Sequence, residues 1–329
     1  MLILAREDIR RMYAMKDCLR DVEQAFSYLI EGKTVTPVRT GVEHKKFGAT
    51  TLYMPSYIEP VDYVAAKVVS IFPDNPAKGL PALQGVILLT EAKTGRHVAL
   101  MDATYLTVLR TGASSGVATK YLAREDASVC AVLGCGAQAI GQIQAVMEVR
   151  KLEKLLLFNR TREKAEQLKQ TVREQYPDWS GEIEVAADAN RAVESADVVI
   201  CSTKSTEPLF DGRLLKSGAH VNAIGAYQPH MRELDLVTLQ NSRKVVVDTL
   251  EGAQHEAGDL LIPEANGEWS FELLHAELGE IVAGQKPGRE TDDEITLYKS
   301  VGIACLDTVV AQAVYERAKT LQLGTEVSI

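Results

Sequence analysis

Residues 129–165, VCAVLGCGAQAIGQIQAVMEVRKLEKLLLFNRTREKA, constrain the fold more than any other stretch of the chain. A short apolar run leads into Gly134-Cys135-Gly136-Ala137-Gln138-Ala139, then an amphipathic helical stretch, a second apolar run and Asn159-Arg160-Thr161-Arg162. This is G-x-G-x-x-A set between a strand and a helix. The first glycine permits a tight turn, the second lets backbone approach a pyrophosphate, and a small third residue lets helix and strand pack closely. The helix N-terminus then presents unpaired N–H groups and a positive dipole end to the phosphates. Gly134, Gly136, Ala137 and Gln138 are therefore expected to hold the diphosphate of a dinucleotide.

The surrounding chain continues the alternation. VCAVLG, KLLLFN, EIEVA, ADVVICST, HVNAIG and KVVVD are apolar runs separated by helical stretches, the mark of βαβ units and a doubly wound parallel sheet. Ahead of them a helix is expected over residues 5 to about 30, followed by the strand-like TTLYMPSYI, YVAAKVVSIF and LQGVILLTEAKTGRHVALMD, with Lys93-Thr94-Gly95-Arg96 as a hairpin turn. Residues 106–122 read as helical, and DDEITLYKSVGIACLDTVVAQAVYERAKTL as a long closing helix whose apolar face packs outside the sheet. The expected fold is α/β: a Rossmann-type doubly wound parallel sheet (residues 119–303) preceded by an α+β domain with antiparallel pairing (residues 1–118).

Two domains suit a chain of 329 residues. The net charge of -9 supplies no concentrated basic face for nucleic acid or an anionic membrane. Charges at Arg6, Glu7 and Asp8 argue against a signal segment, and no run reaches about 18 apolar residues. A cytoplasmic protein is expected. The five cysteines lack C-x-x-C spacing and read as reduced, buried thiols, and the six histidines are scattered, so no metal is expected.

The end of the second strand bears on cofactor choice. A carboxylate there would accept hydrogen bonds from the adenosine ribose and repel a 2′-phosphate. Asn159 removes that repulsion, and Arg160, Thr161 and Arg162 offer donors to a phosphate. NADP(H) is the preferred expectation and NAD(H) stays possible, since Asn159 could bind a ribose and the two arginines could simply be solvated residues opening a helix.

Several stretches together resemble the ornithine cyclodeaminase/mu-crystallin family: Pro37-Val38-Arg39, Met54-Pro55, Ala66-Lys67-Val68, Leu109-Arg110-Thr111-Gly112-Ala113, the glycine loop, Arg232-Glu233-Leu234-Asp235, Gly258-Asp259-Leu260 and ITLYKSVGIACLD. The resemblance covers nearly the whole chain. It implies a homodimer in which the N-terminal part and closing helix (residues 1–118 and 304–329) form a substrate and dimerisation domain, with the Rossmann domain (residues 119–303) inserted between them. The family includes ornithine cyclodeaminases, alanine dehydrogenases, cyclic imine reductases and mu-crystallin, which binds NADPH and thyroid hormone. Their shared feature is an amino or imino acid facing a nicotinamide.

Arg39, Lys67 and Arg110 match the family's substrate positions. Two arginines can grip a carboxylate with paired planar donors, and a lysine whose pKa is lowered by neighbouring cations can give a proton to an imine nitrogen. Lys67 is already odd by itself, a cation inside the apolar run YVAAKVVSIF; its plainer reading is a lysine on the solvent side of a strand. Arg110, taken to open RTGASSG, could be a phosphate or backbone clamp. The match also assigns Arg110, Thr111, Thr203, Ile224, Gly225 and Ser300 to the cofactor and Val301 to the substrate. Asp259 reads as a turn or capping residue.

One segment departs from the family's pattern. Cyclodeaminases and alanine dehydrogenases of this family resemble one another in an aspartate after the fifth strand, where this chain has Tyr227 in Gly225-Ala226-Tyr227-Gln228-Pro229-His230. Tyrosine, near its ordinary pKa of about 10, is a poor base for attacking water. Leu52 occupies another position that is often acidic in cyclodeaminases, and His230 is a candidate replacement acid/base. The expected activity is NAD(P)H-dependent reduction of a small cyclic imino acid such as Δ1-pyrroline-2-carboxylate, reversible as an amino-acid dehydrogenase. The alternatives are ornithine cyclodeamination and NADPH-dependent binding of a small ligand without turnover.

Overall fold

A computed structural model of the chain describes residues 1–328. Its contacts divide it into two compact units, residues 1–110 with 303–329, and residues 111–302. The first division falls eight residues before the expected 118/119 boundary because it lies inside one unbroken helix, so no linker composition marks it.

The first unit begins with β1 (Leu2–Leu4), α1 (Arg6–Met12) and α2 (Met15–Ile30). The single helix expected over residues 5–30 is thus two. Tyr13 adopts an extended conformation between them, with its ring buried and its hydroxyl donating to Asp21. The strands β2 (Thr34–Val35), β3 (Thr40–His44), β4 (Ala49–Ile58), β5 (Tyr63–Ile71), β6 (Leu83–Glu91) and β7 (His97–Asp102) follow, and then α3 (Ala103–Leu122). β4 to β7 form an antiparallel meander, and the expected hairpin turn joins β6 to β7 with Gly95 at φ 72°, a conformation that favours glycine.

The second unit comprises β8 (Val129–Leu133), α4 (Ala139–Val149), β9 (Lys154–Phe158), α5 (Arg162–Gln175), β10 (Glu182–Val185), α6 (Ala189–Val193), β11 (Val198–Cys201), β12 (His220–Ala223), α7 (Leu236–Asn241), β13 (Lys244–Val247), α8 (Leu250–Glu256), α9 (Gly258–Ala265), β14 (Ala276–Glu277), α10 (Leu278–Val282) and β15 (Thr296–Lys299). Its sheet runs β10-β9-β8-β11-β12-β15-β13-β14, with every pair parallel. Strand order reverses between β8 and β11, the switch point of a doubly wound sheet. All six apolar runs are strands. ITLYKS corrects the sequence reading: it is not the start of the closing helix but β15, a central strand buried on both faces, so it lacks the alternation that would distinguish it from a buried helix.

The closing helix is α11 (Ala304–Leu321), followed by β16 (Thr325–Glu326), which pairs with β1. α11 packs on α2, β4 and β5, as its apolar face requires. The core of the first unit lies between this helix pair and the alternate residues Met54, Ile58, Ala65, Val69, Ile87 and Leu89.

Candidate active site

Lys67 stands in the middle of β5, with Met54 opposite it on β4 and Ile87 opposite it on β6. Both neighbours are buried and Lys67 is 1% exposed, so it lies on the core side of the strand. An isolated ammonium there would be costly, and the closing helix supplies its partner. Asp307 Oδ2 accepts from Lys67 Nζ at 2.6 Å, while Asp307 Oδ1 accepts from Arg110 Nε at 3.1 Å. One buried carboxylate therefore bridges two buried cationic side chains. Burial first, then Arg110, and to a smaller extent Arg39 push the Lys67 ammonium down to about 7, against the opposing pull of Asp307.

Arg110 does not open a helix, as RTGASSG suggested; it lies within α3, and Asp307 holds it by its Nε edge. Arg39 is half-buried in the segment between β2 and β3. Leu52 pairs with Val69, so it shares the face of Met54 and Lys67 and stands diagonal to the lysine. An apolar group thus occupies that position. Sequence reasoning missed Asp307. Its signal was the same oddity that marked Lys67, a lone charge in the apolar run ACLDTVV.

In the second unit the glycine loop has the geometry its pattern implied. Gly134 has φ 100°, and a Cβ there would lie 2.7 Å from Ser202 O and Thr203 Cγ2. Gly136 is exposed and a Cβ on it would meet nothing, which leaves its backbone open to a ligand. Ala139 opens α4 fully buried in the layer containing Cys130, Val132 and Leu155. Ser202 Oγ donates to Gly134 O at 2.8 Å and ties the loop to the end of β11. These features fit the diphosphate of a dinucleotide.

Asn159 turns toward that loop. Its Oδ1 accepts from Cys135 N at 3.1 Å and its Nδ2 donates to Thr161 O at 2.9 Å, so the carboxamide is a brace. Arg162 pairs with Glu166 at 3.3 Å along α5 and is a solvated helix-opening residue. Arg160 is exposed and has no ion pair among the described residues, and Thr161 is the N-cap of α5 without a side-chain capping bond.

Thr203, Ile224 and Gly225 follow β11 and β12 at the carboxyl edge of the sheet. A group that sequence reasoning left without a role holds Thr203 and Gly225. Glu233, fully buried, accepts from Thr203 N at 2.6 Å with Oε1, and from Gly225 N at 2.8 Å and Ala226 N at 3.1 Å with Oε2. Asp259 is not merely a turn or capping residue: its Oδ1 accepts from Glu233 N and Leu234 N, and its Oδ2 lies 2.8 Å from buried Lys299 Nζ at the end of β15. Burial pushes the Glu233 carboxyl up to about 7, opposed by Lys299 and reinforced by Asp259. Asp248 similarly accepts from Ser300 Oγ, Val301 N and Gly302 N. Tyr227 packs half-buried against the core of this unit, and His230 is exposed in the turn that follows.

The glycine loop on a doubly wound parallel sheet, together with a unit in which one carboxylate joins a buried lysine and arginine, defines an α/β protein of the dinucleotide-binding class. The chain belongs to the ornithine cyclodeaminase/mu-crystallin family, whose model matches residues 1–322. It is 39% identical over 329 residues to a Delta(1)-pyrroline-2-carboxylate reductase of Bacillus cereus, covering 99% of both chains. The structure of the Thermococcus litoralis Delta(1)-pyrroline-2-carboxylate reductase in complex with NADH and L-proline is similar at a TM-score of 0.95 and 42% identity, over 99% of this chain and 100% of that one. An archaeal alanine dehydrogenase dimer with bound NAD follows at a TM-score of 0.92 and 35% identity, over 100% and 99% of the two chains.

Proposed function

We propose that the chain is a nicotinamide-dependent reductase of small cyclic imino acids, with Δ1-pyrroline-2-carboxylate as substrate, and works in reverse as an amino-acid dehydrogenase. The observation that carries this reading is Lys67, buried between cations and bridged to Arg110 by Asp307. Arg39 and the outer edge of the Arg110 guanidinium hold the substrate carboxylate with paired donors. Lys67 gives its proton to the imine nitrogen, and an ammonium lowered to about 7 is poised for that transfer near neutral pH. Asp307 fixes the direction of Nζ. Tyr227 and His230, in the loop after β12, are proposed to contact the bound reactants.

Gly134, Gly136, Ala137 and Gln138 would hold the diphosphate, Arg110 and Thr111 on α3 would contribute to binding, and Thr203, Ile224, Gly225 and Ser300 would receive the nicotinamide half, with Val301 toward the substrate. When bound, the reduced cofactor supplies the hydride for the imine carbon. An exposed Arg160 beside a Thr161 hydroxyl without a capping bond, and no carboxylate at the end of β9, favour NADP(H) over NAD(H). A homodimer is inferred from the dimeric relative, and the exposed apolar residues Val42, Tyr53 and Val86 of the first sheet suit a covered face. No described helix is long and apolar enough to cross a membrane. None of the five buried cysteines forms a disulfide, which suits the cytoplasm.

Cyclodeamination is disfavoured by Tyr227 and Leu52, which leave no carboxylate base at either position. The test follows NADPH and NADH absorbance with purified protein and Δ1-pyrroline-2-carboxylate, beside an ornithine incubation assayed for ammonia. Loss of NADPH absorbance with no ammonia is expected. Ammonia from ornithine without loss of reduced cofactor would overturn the reading.

A further inference from the structure

Three strand ends meet at one buried charge network. Thr203 follows β11, Gly225 and Ala226 follow β12, and Lys299 ends β15, and these strands are adjacent in the sheet. Glu233 takes the backbone N–H groups of the first two ends on separate carboxylate oxygens, and Asp259 holds the backbone of Glu233 while pairing with Lys299. All three side chains are fully buried. Such a network is expensive in desolvation and a poor source of stability relative to apolar packing, so a purpose other than stability has to account for it.

Position supplies that purpose. A doubly wound sheet has two mononucleotide-binding halves, and its ligand lies outside the carboxyl ends of the strands. The glycine loop and Asn159 belong to the β8-β9 half, whereas the Glu233 network underlies the β11-β12-β15 half. The space there is closely set: a Cβ on Gly225 would collide with Thr203 N and O and with Glu233 Oε1.

We propose that Glu233 is a positioning residue for the nicotinamide half of the cofactor, acting through the backbone of Thr203, Gly225 and Ala226, with Asp259 and Lys299 fixing its own placement. The proposal rests on the dinucleotide reading above. Glu233 touches no reactant in this assignment. It sets the two strand-end loops in one arrangement, and its own hydrogen bonds go to Thr203, Gly225 and Ala226, so the glycine loop meets this network only at second hand, through Ser202 and Thr203. Glu233→Gln discriminates because both carboxylate oxygens face backbone donors. An amide must turn its NH2 toward one of them, a donor against a donor, and release one loop.

The experiment measures NADH and ADP-ribose affinities of the full chain by calorimetry for wild type, Glu233→Gln and Glu233→Asp. NADH affinity is expected to fall at least tenfold in Glu233→Gln while ADP-ribose affinity stays within twofold, and Glu233→Asp, which keeps the charge and shortens the reach, should lie between. Equal losses for both ligands, or no loss for either, would overturn the proposal. Should neither variant fold, amide exchange in the wild-type chain replaces it. NADH must then slow exchange at residues 203, 225 and 226 beyond the effect of ADP-ribose, and equal protection by both ligands would overturn it. Wild-type protein that binds neither of these ligands nor NADPH would instead refute the dinucleotide reading itself.

Discussion

Each unit buries a group of three charged side chains joined by an aspartate, and the two groups differ in the sign of what remains. In the first unit one carboxylate, Asp307, faces two cationic side chains, Lys67 and Arg110, so the balance of the group is cationic. In the second unit two carboxyl groups, Asp259 and Glu233, neighbour one ammonium, Lys299, so the balance of the group is anionic. The negative surplus is absorbed internally by backbone N–H groups from two loops. Under the proposed function, the cationic balance of the first group suits the carboxylate of an anionic substrate. The sign of the unmatched charge, more than the presence of a buried ion pair, separates a receiving site from a supporting one.

The sharpest break between the two groups should come from Lys67→Ala. Turnover is expected to fall by about 10²–10⁴-fold, the usual worth of a general acid, while NADPH affinity stays within about twofold, since none of the phosphate-cradle residues is touched. Parallel loss of cofactor binding in a titration would show that the groups cannot be separated.

Asp307→Asn should be next. It removes the only influence named here that raises the Lys67 pKa, so the ammonium deprotonates at lower pH. In the wild type, imine reduction should decline as pH rises through about 7, because the protonated lysine is the donor. In the variant that decline should move to lower pH, with a loss of about tenfold at neutrality for each unit of displacement. An unmoved pH–rate profile would remove Lys67 as the titrating acid.

Arg39→Ala should raise KM for the imino acid about tenfold with little change in kcat, as loss of one charged hydrogen bond predicts. Steady-state kinetics decide it, and a fall in kcat alone would contradict the carboxylate grip. The smallest effect is expected from Arg160→Ala, an exposed contact worth about two- to fivefold in NADPH affinity and nothing for NADH. Equal effects on both cofactors would return Arg160 to the status of a solvated surface residue.

The doubly wound sheet was legible because its strands are short apolar runs between helices and its first loop needs glycine in a conformation that other residues avoid. β15 was not, since burial on both faces removes alternation, and β14 and β1 are too short to show a period. Among the site residues, Lys67 was visible as a charge in an apolar strand. Asp307 was visible only in retrospect, because pairing across 240 residues leaves no local pattern. Asn159 illustrates a different limit: its identity suggested a cofactor contact, but its side chain is turned to the glycine loop, a choice set by tertiary geometry. Glu233 and Asp259 hid within motifs whose residues were recognisable while their hydrogen bonds were not.

The separation of Lys67 from Asp307 also has a temporal meaning. At ribosomal rates of about 5–20 residues per second, the 240 residues between them take roughly 12–48 s to emerge. Throughout that interval the nascent meander carries a lysine intended for its interior, and neither the carboxylate nor the helix that will cover it has been made. The inserted parallel sheet, by contrast, has all of its strands before Asp307 appears. Translation therefore delivers the doubly wound sheet first and the Lys67–Asp307 pair last, and a chain stalled between the two would carry a complete parallel sheet and an unfinished meander.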